Sequence, residues 1–399
     1  MPRSADALIN PQMLIWARRN TGYSIEEAAT KVIVSIEKYS NWERGESRPT
    51  IAQLRKLANI FKRPLAVFYL QEIPRDFQPL RDYRRIAPIE GDEFLASPQL
   101  RIEIRKARYR RDIAHELFEL LGEVPQEFDF TTDLLANPED TADNLRRYLG
   151  ITMDYQSQWT TDYEALNSWR TAIESTGVLV FQAQGVDIEE MRGFSIGNGV
   201  LPIIVVNIKD SPRARIFSMI HELTHISLNA AGICDFSESS RLNKYAEQTE
   251  IFCNMVAGAT IVPFQALLSI NIVKNADALY EWSDEELRYL SRYFEASWET
   301  ILRRLLIAGK TSHNFYDHKR REFEEFYRNL PKKKEGFAPP STRAVSSAGP
   351  SFVRLVLDGY YQEKITGSEL SELLEVRLKH MPKIESAVFS RVIEFDSIS

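Results

Sequence analysis

The sequence is poor in cysteine: Cys234 and Cys253 are the only two in 399 residues. That is too few for a disulfide framework and suits a reducing compartment, so a cytoplasmic location is expected. No uninterrupted apolar run reaches the roughly 20 residues that a membrane-spanning helix needs, so no membrane partner is expected. The opening stretch, MPRSADALINPQ, lacks the basic and apolar regions of a secretory signal. No internal repeat and no long low-complexity tract interrupts the chain, which excludes solenoid and fibrous architectures. Nor does one sign of charge dominate: 50 Lys and Arg face 56 Asp and Glu, for a net charge of -6. The whole-chain balance therefore carries no nucleic-acid signal.

What is present is a globular composition, 44% hydrophobic and 27% charged, on a chain long enough for roughly two to four domains. The charge is unevenly spread. Residues 1–72 hold 11 Lys and Arg against 7 Asp and Glu, so the first segment is basic and the remainder acidic. Any nucleic acid is expected at the N-terminal end. Residues 11–70 read as several short helices separated by Thr21-Gly22, Gly45 to Pro49 and Arg63-Pro64. A proline-bearing linker is expected over 73–89. A long helix follows over 97–121, carrying Arg101, Arg105, Lys106, Arg108, Arg110 and Arg111. From about Thr160 the pattern is mixed. A helix over 163–175 precedes β-rich runs at 177–181, 192–196 and 202–207, the last two expected to pair. Loop-like sequence near 332–350 leads to a final helical unit over 352–384.

The residues with the clearest chemistry are His221, Glu222 and His225. Ser211 and Pro212 form a helix start, the serine as cap and the proline where its missing N–H costs nothing. On the helix they open, a spacing of four puts both imidazoles on one face, able to share one Zn²⁺, while Glu222 can hold and deprotonate a water beside the metal. His115-Glu116 begins a similar pattern, but Glu119 stands where the second histidine is needed, so it reads as ordinary helix surface. His313, His318 and His380 have no ligand spacing of their own. A third ligand is required, and the next helical stretch, 245–254, offers Glu250 and Glu247, which spacing alone does not separate. Cys234 and Cys253 read as buried free thiols. His313, Tyr316 and His318 are candidates for supporting an oxyanion.

In the N-terminal segment, Ser24 with Glu27 three residues on is a capping-box pattern. Ser35 then caps a second short helix that Gly45 ends. Two short helices joined by a tight turn make a helix-turn-helix, whose second helix can enter the major groove.

Two resemblances rest on these residues. Ile204 to Asn207, Arg213 to Phe217, His221-Glu222-Leu223-Thr224-His225, Glu250 with Cys253-Asn254 and Ala257, and Val262-Pro263 together resemble the ImmA/IrrE metallopeptidases over about 160–265, with weaker support at 74–77. That resemblance implies a zinc endopeptidase with His221, His225 and Glu250 as ligands and Glu222 as general base. Its protein substrate is expected to be a transcriptional repressor or other regulatory protein in stress response or mobile-element control. Phe252 and Cys253 depart from the commoner pattern before the asparagine, leaving Glu250 as the only matching glutamate. Ser35, Tyr39 to Gly45 and Pro49-Thr50 are similar to the XRE/Cro-type helix-turn-helix family over about 11–71, with Ile33 where the turn glycine often stands. This second likeness implies DNA as a partner. Ser35, Glu37, Lys38 and Asn41 would face the groove, Arg44 and Arg48 would meet phosphates, and Trp42 would lie in the core.

The expected fold is therefore α+β and multidomain: a helix-turn-helix bundle over 1–72, a linker and helical region over 73–159, a small-sheet, zincin-like metallopeptidase core over 160–310, and a mostly helical C-terminal domain over 311–399. A homodimer is a candidate assembly. The rival reading is a DNA-binding regulator or antitoxin-like protein whose zinc domain senses or binds partners without proteolysis.

Overall fold

In the computed structural model the chain is α+β and falls into two compact units, residues 1–109 and 110–399. The structure describes residues 6–61, 63, 65–71, 97–197, 200–229, 239–329 and 338–389. The expected linker at 73–89, the segment 74–77, Cys234 and the loop at 332–336 lie outside them.

The first unit begins with α1 (Pro11–Thr21), α2 (Ile25–Val32), α3 (Ile36–Arg44) and α4 (Ile51–Phe61), followed by a 3-10 turn at Leu65–Tyr69. Local chemistry sets the boundaries. Ser24 caps α2 in a complete capping box with Glu27, and Ser35 caps α3 by accepting from the Lys38 N–H. Gly45 ends α3 in the left-handed region, as Gly22 ends α1. Ile33 ends α2 at a φ of 67°, taking with a β-branched side chain the conformation that a turn glycine adopts freely. Leu14, Ala17, Ala28, Ala29, Tyr39, Trp42, Leu54, Leu57, Phe61 and Phe68 make one core among these helices. The short 3-10 turn closes this bundle with its buried Phe68.

The long helix α5 (Pro98–Leu121) supplies residues to both units. In the second unit follow α6 (Pro138–Tyr148), α7 (Met153–Gln156), α8 (Asp162–Glu174), β1 (Leu179–Ala183), β2 (Gly193–Ile196), β3 (Ile203–Asn207), α9 (Pro212–Asn229) and α10 (Ser239–Ile261). The sheet order is β1-β3-β2, with β1 parallel and β2 antiparallel to the central β3. All five residues of β3 are buried, as expected of a central strand covered on both faces. One row of the sheet, Val180 and Ile204 with Val178 and Val206, joins the core formed with Ile216, Met219, Ile220 and Leu223 of α9. The other face meets the C-terminal helices, where Phe181 of β1 packs edge-on against Phe352 at 5.9 Å between ring centres.

Beyond α10 come α11 (Phe264–Ser269), α12 (Asn271–Asn275), α13 (Asp284–Phe294), α14 (Trp298–Ile307) and α15 (His313–Asn329). The final segment holds α16 (Pro340–Ala348), α17 (Pro350–Tyr361), α18 (Gly367–Leu373) and α19 (Met381–Phe389). The stretch expected as loop up to residue 350 is instead helical over α16, opened by Pro340, and the helical unit expected over 352–384 is made of α17, α18 and α19. Gly349 makes the break between α16 and α17 with a φ of 85°. No helix among the described residues is long and apolar enough to cross a membrane.

Candidate metal centre

The helix that carries the motif is built as its sequence directs. The Ser211 hydroxyl accepts from the Ala214 N–H at 3.2 Å, and Pro212 stands at the first helical position. The apolar residues of α9 turn one side toward the sheet. That leaves His221, Glu222 and His225 on the remaining surface of the helix, yet each is under 9% exposed. Three ionisable groups buried so close together need a reason, because burial without partners is costly.

The reason lies on α10, which packs against α9. The two Nε2 atoms of His221 and His225 are 3.0 Å apart. The Glu250 carboxylate lies 3.3 Å from Nε2 of His221 and 3.2 Å from Nε2 of His225. Ligand atoms from these three residues all fall within 4.8 Å of one another, the only such group among the described residues. Two imidazole nitrogens and a carboxylate so close together are the donor set that a divalent metal takes from protein side chains. The spacings also suit a metal. Four donors around an ion at bond lengths of ~2.0–2.1 Å stand ~3.3–3.4 Å apart when tetrahedral. The three residues therefore fit a metal ion. Glu247, the alternative third ligand, faces solvent one turn earlier on α10, and geometry favours Glu250.

Electrostatics agree with the geometry. Burial pushes the Glu250 carboxyl up, but hydrogen bonds from His221 and His225 outweigh it and bring it to about 2. Burial disfavours a charged His225 ring, yet hydrogen bonds with Cys253 and Glu250 prevail and raise its pKa well above the ordinary value. Cys253 is buried, as expected of a free thiol, and burial raises its own pKa. The thiol thus partners a candidate ligand, and such partners often orient a metal-binding histidine. Phe217, one turn before His221, stacks on its ring at 6.3 Å and 29°.

One member of the site was not legible in the sequence. The Ser195 hydroxyl, on β2, donates to Oε2 of Glu222 at 2.8 Å. The signal that could have found it is a serine alternating with the apolar Phe194 and Ile196 on a strand next to the motif helix. Of the oxyanion candidates, Tyr316 is buried in the hydrophobic core on α15 and His313 and His318 face solvent. None of them joins the His221, His225 and Glu250 group.

The candidate nucleic-acid residues lie on or just after α3. Glu37, Lys38, Arg44 and Arg48 are exposed, and Asn41 is half-buried. The exposed Ser35 uses its hydroxyl as the helix cap. Arg44 is paired with Glu46 at 2.9 Å and also donates to Asn41. Trp42 is in the core, 1% exposed, as its place in the motif suggested. Glu43 beside it, part of the same motif, turns inward to Arg18 of α1 with contacts of 2.6 and 2.9 Å.

Residues 173–306 match the family model described as the IrrE N-terminal-like domain, a peptidase family. Residues 14–68 match a helix-turn-helix family model. The helix-turn-helix followed by the peptidase domain matches the ImmA/IrrE architecture. No curated protein matches the chain.

Proposed function

We propose that this chain of ImmA/IrrE architecture is a cytoplasmic zinc-dependent endopeptidase that also binds DNA, with a transcriptional repressor or other regulatory protein as its substrate in stress response or mobile-element control. The observation that carries the reading is the convergence of two imidazoles and one carboxylate beside a buried glutamate on the same helix. His221, His225 and Glu250 hold the metal. The N-terminal helix-turn-helix, through Ser35, Lys38, Asn41, Arg44 and Arg48, holds the DNA, with the arginines on phosphates and α3 toward the groove. The functional division follows residues 1–72 for DNA, 73–159 as connector, 160–310 for hydrolysis and 311–399 as support.

Zinc bound at this site supplies a Lewis acid and lowers the pKa of a water toward ~7. Glu222 is the general base. It accepts the proton of the attacking water and returns it to the leaving amine as the peptide bond breaks. Its burial keeps bulk water from competing for that proton. His225 is held by Glu250 and Cys253 and His221 is stacked on Phe217, so both rings are oriented before substrate arrives.

Glu222→Gln tests the division of roles. The variant should keep its zinc and lose cleavage of a co-encoded repressor by on the order of a thousandfold or more. Full cleavage by zinc-loaded Glu222→Gln would contradict the mechanism. Zinc and DNA binding with no cleavage by the wild type would favour a second reading, a DNA-binding regulator with a sensing metal domain. The helix-turn-helix match supports that alternative.

A further inference from the structure

Sheet geometry picks out one hydroxyl beside the metal centre. Residues directly opposite each other on paired strands point to the same face. Val180, Ile204 and Ser195 are such a row, from β1 through β3 to β2. The first two are fully buried in the core to which α9 also contributes. The third sits on the same face but is a serine, and it lies on β2 at the end of the strand order, in a strand that packs against α9. An apolar residue there would continue the core. The hydroxyl instead reaches Oε2 of Glu222 at 2.8 Å.

We infer that Ser195 is a positioning residue for Glu222, a fixed donor on the sheet that holds the base's carboxylate where it serves the reaction. This inference rests on the peptidase reading of the site. Glu222 is 3% exposed, so little solvent is at hand to replace a lost donor. A glutamate side chain has three rotatable bonds, and the α9 backbone restricts only the first of them. Ser195 can act because β2 is tied to β3 along its whole length, from Gly193 opposite Val206 to Ile196 opposite Ile203. A donor on a strand is held more rigidly than one on a loop. The hydroxyl touches the carboxylate and none of the three metal-ligating side chains, so its removal should leave metal binding intact.

The test uses the full-length zinc-loaded chain with Ser195→Ala, Ser195→Thr and Glu222→Gln, and two readouts. The first is the crystal structure of each serine variant. Ser195→Ala should show the Glu222 carboxylate in more than one conformer or swung away, and Ser195→Thr should show it in the wild-type position. The second is cleavage of a quenched peptide selected, for cleavage by the wild type, from a random pool. Ser195→Ala should lower kcat on the order of tenfold with KM within about twofold, and Ser195→Thr should restore most of it. Zinc content should be unchanged in both. A Glu222 carboxylate that stays in one place in Ser195→Ala, with kcat within twofold of wild type, overturns the inference. Full turnover by Glu222→Gln is a different failure: it removes the general-base reading, while the crystal structures still decide whether Ser195 fixes the carboxylate.

Discussion

Arg18 on α1 and Glu43 on α3 form a two-pronged ion pair inside the helix-turn-helix unit, Nε to Oε1 at 2.6 Å and Nη2 to Oε2 at 2.9 Å. The remaining guanidinium nitrogen donates to the Tyr23 carbonyl at 3.0 Å, so the charge is satisfied on both sides. The side chains are only 11% and 8% exposed. This pair ties α1 to α3, the helix that carries Lys38 and Asn41.

Breaking the pair from one side should therefore be expensive. Glu43→Ala leaves a buried guanidinium without its partner, which typically costs ~3–5 kcal/mol. Urea unfolding of the full chain should show the helix-turn-helix transition shifted by that amount, with DNA affinity lost in parallel. A shift below ~1 kcal/mol would show that the pair is solvated and does not tie α1 to α3.

The turn before α3 should respond in the opposite direction. Ile33 is 80% exposed, so its side chain gains little by burial, and it holds a φ of 67°. Left-handed backbone costs a β-branched residue ~1–2 kcal/mol, partly offset in glycine by a freer unfolded chain. Ile33→Gly should stabilise the unit by about 0.5–1 kcal/mol in the same unfolding measurement. A loss of stability would mean that the isoleucine makes a contact the geometry does not show.

Much of this was legible in the residues. Capping serines, the glycines after α1 and α3, and the proline opening α9 fixed helix ends, because these depend on short-range chemistry. The two histidines were legible because a spacing of four defines one helix face. Glu250 was separable from Glu247 only by the packing of α10 on α9, a long-range relationship that spacing does not contain. The partners of Ser195 and Glu43 were not legible for the same reason. Each is an ordinary strand or helix residue until the fold brings a charged partner to it from a distant part of the chain. The C-terminal helices likewise gave no sequence sign that Phe352 would cover the face of β1 opposite the metal centre.

That cover depends on Gly349. A Cβ there would stand 2.6 Å from Oε1 of Glu174 and 2.7 Å from the Val180 carbonyl, and its φ of 85° suits only glycine. Gly349→Ala should destabilise the second unit by about 2 kcal/mol or more, read as a lower thermal midpoint. An unchanged midpoint would show that α16 and α17 separate from the sheet at little cost.

Metal affinity should depend on pH through the histidines. A proton and a metal ion compete for the same Nε2 lone pair. His225 has a pKa raised well above its ordinary value, so affinity should be highest above that pKa and fall as pH drops through it. The decline should be about tenfold per pH unit for each proton displaced. Glu250, brought to about 2, stays ionised throughout and adds nothing to the slope. Zinc competition against a chromophoric chelator between about pH 5 and 9 measures this. A flat profile across that range would contradict histidine ligation.

The most direct test is zinc content of the purified full chain beside His221→Ala, His225→Ala, Glu250→Ala and Glu247→Ala. About one zinc per wild-type chain is expected, lost in the first three variants and kept in Glu247→Ala. A wild type that binds no zinc even when supplied with it, or a Glu250→Ala that keeps it while Glu247→Ala loses it, would contradict the site as described.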